Sequence, residues 1–215
     1  YVPILLDKEG LSKYLMRKLN LNIIEQNDTW EKMVIDMENS DKEVEIALVG
    51  KYMDIRDSYM SVTEAIKHAG IAYRTKVKVR RTEAEDLLGG NIKEEFDGID
   101  GIIVPGGFGT RGTEGKIRAI EYARMNDIPF LGLCLGFQLA VIEFARNVLK
   151  FKDAHSVEFA KTAHPVIDLL PGQRKVEAMG GTMRLGDNTI DVVEGSIAHN
   201  LYDSLKLSSA TDTDM

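Results

Sequence analysis

The sequence predicts an α/β fold with a mostly parallel central sheet, helices on both faces and a small antiparallel extension. Short apolar runs that end near glycine or proline are typical of buried strands, and they recur at residues 44–50, 101–105 and 129–133. Helical segments of about ten or more residues separate these runs, which favours parallel strands joined by helical crossovers. In such sheets ligands bind at the carboxyl ends of the strands, so a site is expected there.

The predicted strands and helices alternate through the middle of the chain. The strands are expected at residues 44–50, 73–80, 101–105 and 129–133. The helices are expected at residues 58–68, from a glycine-rich turn to about residue 126, and at 135–149. Thr82 and Glu85 have the spacing of a capping box, which predicts the start of a further short helix.

The two ends of the chain depart from this alternation. Residues 8–40 carry two amphipathic helical patterns, and we expect residues 1–40 to be a linker or docking segment from a preceding domain. The main domain is expected over residues 41–215. Short segments at 181–186 and 189–193 predict the antiparallel extension.

The composition argues against several classes of function. Lys and Arg number 27 against 34 Asp and Glu, which gives a net charge of −7 without a basic cluster, so nucleic acid is not expected as the main partner. We find no run of about 18 apolar residues and no basic leader at residues 1–7, so neither a membrane segment nor export is expected. A single cysteine excludes an internal disulfide framework and a multi-cysteine metal site, and it favours a cytoplasmic location.

The single cysteine, Cys134, lies in a pattern typical of a catalytic nucleophile. Gly132, Cys134 and Gly136 form the cysteine version of the nucleophile elbow, in which a strand turns sharply into a helix. The helix N-terminus favours the reactive thiolate. The amide of Leu135 would point to the place where an acyl oxyanion forms. An arbitrary free cysteine is usually a buried structural residue, but the elbow spacing favours a reactive one.

A second glycine-rich turn follows the preceding strand, at residues 105–112. Gly107, Gly109 and Gly112 fit the Gly-x-Gly-x-x-Gly dinucleotide fingerprint. That fingerprint also requires an acidic residue about 20 positions further on, and the next strand runs into Cys134 without one, so dinucleotide binding is disfavoured. A connecting turn needs fewer glycines than this. We therefore expect its backbone N–H groups to face a ligand, with one completing the oxyanion hole.

Longer stretches of the sequence resemble one known family. The segment GLCLGFQ at 132–138 resembles the elbow of class I glutamine amidotransferases. The segments that resemble CTP synthases are PGGFGTRGTEGK at 105–116, LAVIEFARN at 139–147, SVEF at 156–159, HPVIDLLP at 164–171 and GGTMRLG at 180–186. The likeness covers nearly the whole chain, including a leading segment similar to the linker that follows the synthase domain. The sequence is thus identified as resembling the glutaminase part of this family.

This resemblance implies a site that hydrolyses glutamine. Cys134 would attack the carboxamide carbon, release ammonia and leave a glutamyl thioester for water to cleave, with the Gly107 and Leu135 amides as oxyanion donors. Glu158 suits the ammonium group of the substrate, and Phe108 suits its aliphatic part. The residues expected to contact glutamine are Gly107, Phe108, Leu135, Gly136, Phe137, Gln138 and Glu158.

The expected cofactors and partners rest only on the resemblance to this family. Arg111 and Glu114 fall in the region that the family associates with activation by GTP. No cofactor and no metal are expected in this domain, whereas ATP and Mg²⁺ would bind to the synthase domain, which uses the ammonia to aminate UTP. The implied partners are L-glutamine, the synthase (amidoligase) domain of the same protein, and further copies in a dimer or tetramer.

Some of the family's machinery is not found in these 215 residues. The family takes its catalytic base and the orienting acid from a His-Pro-Glu motif, but the only His-Pro pair here, His164-Pro165, is followed by Val166 and resembles a non-catalytic segment. The arginine-rich segment expected between Tyr202 and Leu207 is also missing. Either these pieces belong to the protein but not to this stretch, or they are truly deleted, in which case no useful turnover is expected.

Two other functions stay open at this point. The chain could be a docking and regulatory module of a CTP synthase without chemistry of its own. A cysteine hydrolase or redox sensor of related fold would instead show thiol reactivity that does not depend on glutamine. Replacement of Cys134 distinguishes the first of these from the enzyme.

Overall fold

The computed structural model describes residues 1–22, 28–55, 57–169 and 188–209. The chain divides into two compact units, residues 1–168 and 169–215. The first unit contains the parallel sheet and both glycine-rich turns, and the second contains a small antiparallel pair of strands. Among the described residues, no helix is long and apolar enough to cross a membrane.

The central sheet of the first unit has four parallel strands in the order β2-β1-β3-β4. They are β1 (Lys42–Gly50), β2 (Thr75–Glu83), β3 (Gly101–Val104) and β4 (Phe130–Gly132). Because the strands are parallel, all four carboxyl ends lie at one edge, and the loops that follow them meet there. The predicted fold class is confirmed.

Helices connect the strands and precede the sheet. The helices before β1 are α1 (Val2–Lys8), α2 (Leu11–Leu19) and α3 (Asp28–Glu38). Those after it are α4 (Met60–Ala72), the short α5 (Ile92–Glu95), α6 (Thr113–Met125) and α7 (Leu135–Asn147). Two short strands, β5 (His155–Ser156) and β6 (Pro165–Ile167), pair in parallel after α7. The two helical patterns predicted before residue 40 correspond to α2 and α3, whereas α1 had no clear sequence signal.

The two faces of the sheet are covered to different extents. One face presents Ala47, Val49, Ile102 and Val104, which are fully buried against apolar residues of α6 and α7. The alternate residues point the other way, since strand side chains alternate between faces. On that second face α4 packs on β2, and a cleft of about 640 Å³ runs between the strands and the helix. Leu131 of β4 lines this cleft and is exposed.

The capping box predicted at Thr82 and Glu85 is wrong. β2 extends to Glu83 because its last residues pair with the end of β1, so Thr82 is still part of the strand. The Thr82 hydroxyl is 3.1 Å from a carboxylate oxygen of Glu95 instead of capping a helix. The element that follows is a single 3₁₀ turn, Asp86–Leu88, whose N-cap residue Glu85 makes no side-chain cap bond.

The second unit contains the antiparallel extension. Strands β7 (Asn188–Asp191) and β8 (Lys206–Ser209) pair antiparallel, and the short helix α8 (Ile197–Tyr202) connects them. Ser196 caps α8 by accepting a hydrogen bond from the His199 N–H. The predicted strand at 189–193 therefore largely coincides with β7, whereas the segment predicted at 181–186 lies outside the described residues.

Candidate active site

Cys134 lies at the apex of a sharp turn between β4 and α7. Its backbone has φ 52° and ψ −110°, a conformation that a residue with a side chain rarely adopts, and its side chain is exposed. Such a conformation costs roughly 1–3 kcal/mol and persists only where the surrounding structure imposes it. The backbone at the apex of the elbow is therefore strained.

The elbow is sharp because α7 begins directly against strand β3. A Cβ atom on Gly136 would lie 1.9 Å from the carbonyl oxygen of Val104, so only glycine can occupy this position. Two backbone hydrogen bonds fix the turn: the Leu133 N–H donates to the Val104 carbonyl, and the Gly136 N–H donates to the Leu133 carbonyl, both at 2.9 Å. The N–H of Gly136, a residue predicted to contact glutamine, is thus used within the elbow itself.

The glycine-rich turn after β3 lies beside this elbow. A Cβ atom on Gly106 would be 3.3 Å from the Cβ atom of Cys134, which shows how closely the two turns approach. Gly107 has φ 148°, a backbone conformation that favours glycine. The predicted neighbourhood of Cys134 and the Gly107 turn is therefore seen at the carboxyl edge of the sheet.

The N–H groups of Gly107 and Leu135 are available to a ligand. Leu135 is the first residue of α7, so its N–H has no acceptor within the helix. In the part of the chain that the structure describes, neither N–H donates a hydrogen bond to the protein. An oxyanion hole requires free N–H donors beside a nucleophile, so these two groups are candidates for that role.

Three further residues predicted to contact glutamine lie within or next to the two turns. Phe108 and Phe137 belong to the turn and to α7, and both rings are largely exposed, at 69% and 63%. Gln138 is half-buried in the first turn of α7, and its N–H donates to the Cys134 carbonyl at 3.2 Å. The exposed rings can pack on an aliphatic chain that enters the site.

Glu158 lies in the loop after β5 and is exposed. Its N–H donates to the Ser156 hydroxyl, and its carboxylate has no hydrogen-bond or ion-pair partner among the described residues. The segment that carries Glu158 is anchored through Arg146 of α7, which donates to the Ala154 carbonyl at 2.7 Å and forms an ion pair with Glu114 of α6 at 3.0 Å. Glu158 is thus a free carboxylate on a loop linked to the start of α6.

Arg111 and Glu114, predicted in the effector region, already have partners within the protein. Arg111 forms an ion pair with Glu85 at 2.7 Å, and its guanidinium lies 4.9 Å from the ring centre of Tyr52. Glu114 pairs with Arg146, as described above. Any ligand that uses these two charges must exchange existing contacts.

Two lysines that the sequence patterns did not single out lie behind the glycine-rich turn. Lys116 of α6 is fully buried, and Lys51, which follows β1, is 7% exposed. Their amines donate to the carbonyls of Pro105 and Phe108, at 3.3 Å and 2.6 Å. Burial, and next the charge of Lys51, lower the pKa of Lys116 to about 8. Lys116 lies on the buried stripe of α6, so a charged residue on an apolar helix face was the available signal.

His164 forms a surface pair rather than part of the Cys134 site. Its Nδ1 is 2.6 Å from Asp153 Oδ1, and its ring stacks on Phe151 with the centroids 4.6 Å apart. The hydrogen bond to His164 is the main reason that the pKa of Asp153 falls to about 2. The described residues contain no cluster of three or more His, Cys, Asp and Glu side chains that could hold a metal ion.

Comparison with protein families identifies the chain. The sequence profile of the family described as glutamine amidotransferase class-I matches residues 54–209, which is most of the chain. The chain belongs to the class-I glutamine amidotransferase family. The elbow and the glycine-rich turn described above both fall inside the matched region.

The relatives of this amidotransferase chain include CTP synthases. It is 55% identical over 207 residues to the CTP synthase of Archaeoglobus fulgidus and 54% identical over 203 residues to that of Pyrococcus furiosus. The alignments cover 96% and 94% of this chain, but the chain spans only 38% of the length of each relative.

A solved structure gives the same result for the fold. The glutaminase domain of Trypanosoma brucei CTPS, determined with bound acivicin, matches with a TM-score of 0.69 at 40% identity. The match covers 78% of this chain and 65% of that chain. The resemblance to a CTP synthase glutaminase domain predicted from the sequence is confirmed.

Proposed function

We propose that this amidotransferase chain hydrolyses glutamine to glutamate and ammonia with Cys134 as the nucleophile, and that the ammonia serves to form CTP from UTP. The observation that carries the proposal is the strained, exposed Cys134 beside two N–H donors that the protein does not use. The similarity to CTP synthases supports the choice of glutamine and of the acceptor nucleotide.

In the first half of the reaction the sulfur of Cys134 forms a bond to the carboxamide carbon of glutamine. The carbonyl electrons move onto oxygen, and the amides of Gly107 and Leu135 stabilise the resulting oxyanion. When the oxyanion collapses, the carbon–nitrogen bond breaks and the nitrogen leaves as ammonia after taking up a proton. A glutamyl thioester remains on Cys134.

In the second half a water molecule attacks the thioester carbon. The same two amides stabilise the second oxyanion, the carbon–sulfur bond breaks, and glutamate leaves with the thiol restored. Both halves need a base that exchanges protons with sulfur, nitrogen and water. We assign this role to no histidine among the described residues, since none hydrogen-bonds to Cys134.

The groups proposed to hold the substrate lie in and next to the two turns, together with Glu158 of the loop after β5. The free carboxylate of Glu158 is suited to the α-ammonium group, and the exposed ring of Phe108 is suited to the methylene groups. Phe137 and Gln138 complete the wall on the side of α7. Gly136 contributes by allowing α7 to begin close to the sheet rather than through its own N–H.

The wider assignment follows from the CTP synthase relatives. We propose that residues 1–40 connect to a synthase domain that binds ATP and Mg²⁺, that Arg111 and Glu114 belong to a region sensitive to GTP, and that the whole enzyme assembles as a dimer or tetramer. A cytoplasmic location is proposed with it, supported by the single cysteine.

The test uses a protein in which this chain is joined to its synthase domain. Cys134→Ala is expected to lower glutamine-dependent CTP formation by at least about 1,000-fold, because the nucleophile is lost. CTP formation from added ammonia should persist, which serves as the control for an intact synthase domain. Retention of glutamine-dependent activity in Cys134→Ala would refute the proposal and favour a docking module without chemistry.

A further inference from the structure

Lys116 is a buried cation, and no acidic side chain among the described residues bonds to it. It is completely buried in α6, and the only hydrogen bond of its amine among the described residues goes to the backbone carbonyl of Pro105. By contrast, another buried charged residue has an ion-pair partner: Glu143 of α7 is 1% exposed and pairs with Arg124 at 2.7 Å. Burying an unpaired ammonium group is costly, so its place in the site calls for a function.

The amine of Lys116 lies next to Gly107. Its Nζ is 3.9 Å from the point where a Cβ atom of Gly107 would be, and Lys51 Cε is 3.8 Å from the same point. Lys116 holds the Pro105 carbonyl before Gly107, and Lys51 holds the Phe108 carbonyl after it. The two amines thereby fix the peptide groups on both sides of the segment that presents the Gly107 N–H.

We propose that Lys116 is a positioning residue of the oxyanion-binding turn, which orients the Gly107 amide through the Pro105 carbonyl and places a positive charge behind the developing oxyanion. The inference rests on the function proposed above and adds a residue to it. A fixed positive charge in a buried location stabilises an oxyanion more than it stabilises a neutral carbonyl, so it favours the reaction.

The same geometry makes the effect dependent on pH. Burial, and next the neighbouring Lys51, lower the pKa of Lys116 to about 8, while the charges of Cys134 and Glu83 act in the opposite direction. Glu83 keeps one carboxylate oxygen on the Met53 N–H and has the other buried without a partner. The positive charge on Lys116 is therefore lost as the pH rises through about 8, and its contribution to the oxyanion is lost with it.

The experiment compares two reagents at Cys134, the single cysteine of the chain, so that each rate is read from the intact mass. Iodoacetamide reacts by direct displacement of iodide by sulfur, without an oxyanion. A chloroketone analogue of glutamine first receives sulfur at its carbonyl carbon, which places negative charge on oxygen, before chloride leaves. The ratio of the chloroketone rate to the iodoacetamide rate therefore reports on oxyanion stabilisation.

Two variants of Lys116 and one control variant measure its effect on this ratio. At pH 7, Lys116→Met is expected to lower the ratio at least about tenfold. Lys116→Gln keeps a hydrogen-bond donor and removes the charge, and it should lower the ratio at least about fivefold. Lys32→Met, which removes an exposed lysine of α3, should leave the ratio unchanged. In the unaltered protein the ratio should fall as the pH rises through about 8, and in Lys116→Gln it should be flat.

The outcomes separate this inference from the proposed function. A ratio that is unchanged in Lys116→Gln, or that stays flat from pH 7 to 9 in the unaltered protein, would overturn the role of Lys116 while leaving Cys134 as the nucleophile. If Lys116→Met does not fold, the ratio in Lys116→Gln and the pH dependence in the unaltered protein still test the role of Lys116. A ratio in the unaltered protein no higher than that of a free thiol such as N-acetylcysteine would instead overturn the proposed function.

Discussion

The elbow around Cys134 and the glycine-rich turn around Gly107 lie side by side, yet different forces hold them. The elbow is shaped by close backbone contact, since Gly136 leaves no room for a side chain against the Val104 carbonyl. The turn is open around Gly107, where the nearest atoms to a Cβ position belong to two lysines at 3.8 Å and 3.9 Å. Sterics therefore fix the nucleophile, whereas buried charges fix the turn that faces it.

Because of this difference, the two turns should respond differently to a change of pH and to amino-acid substitution. A backbone collision cannot be relieved by changing solution conditions, so the elbow should be insensitive to pH and very sensitive to substitution at Gly136. An ammonium group can lose its proton, so the turn should respond to pH near the pKa of Lys116, which is about 8.

The largest effect is expected from Gly136→Ala. In an ordinary helix this change is stabilising by roughly 1 kcal/mol, because alanine has the higher helix propensity. Here the added Cβ would meet the Val104 carbonyl oxygen at 1.9 Å, so we expect a loss of about 4 kcal/mol or more in the free energy of unfolding. Urea denaturation measures it. Gly89→Ala is the control, since nothing lies within 4 Å of its Cβ position and a near-neutral result is expected. A stabilised Gly136→Ala would show that the elbow is not set by this contact.

The next effect is the pH dependence of stability that Lys116 contributes. Burial is the main cause that lowers its pKa from 10.5 to about 8. Between these values the unfolded chain binds more protons, so folding becomes more favourable as the pH rises. The stability of the unaltered protein relative to Lys116→Met should therefore increase by up to about 3 kcal/mol from pH 7.5 to 10.5. A difference that is constant over this range would contradict a charged, buried Lys116.

A smaller effect on stability is expected from the backbone strain at Cys134. Cys134→Gly and Cys134→Ala both remove the sulfur, but only glycine adopts φ 52° without cost. We expect Cys134→Gly to be more stable than Cys134→Ala by about 1 kcal/mol, after the greater entropy loss of glycine on folding is allowed for. Thermal denaturation of the two variants gives the comparison. Equal stability, or a more stable alanine variant, would show that the elbow holds no strain.

Much of the fold could be predicted from the sequence because its strands are buried apolar runs. Those runs end at or next to glycine or proline, and the alternation with helices leaves few other arrangements. The capping box at Thr82 failed because pairing with β1 extends β2 over that residue, which a local pattern cannot show. The antiparallel partner of β7 was also not predictable, since β8 lies beyond the intervening helix α8.

The site was predictable to the extent that it is local in sequence. Cys134, Leu135 and Gly136 lie in one elbow, and its spacing alone indicates a nucleophile with an adjacent donor. The contribution of Lys51 and Lys116 was missed because these residues act on carbonyls 57 and 11 positions away. Only the folded sheet brings the end of β1 and the start of α6 beneath the same turn.

Protection of Cys134 by L-glutamine tests whether this cysteine lies in a glutamine-binding site. The chain is treated with the chloroketone analogue of glutamine, with and without excess L-glutamine, and the adduct is followed by intact mass spectrometry. We expect one adduct on Cys134, at least about tenfold slower with saturating glutamine because the two compete for one site, and none in Cys134→Ala. Modification at a rate unaffected by glutamine, or an adduct of the same mass in Cys134→Ala, would contradict a glutamine site built around this cysteine.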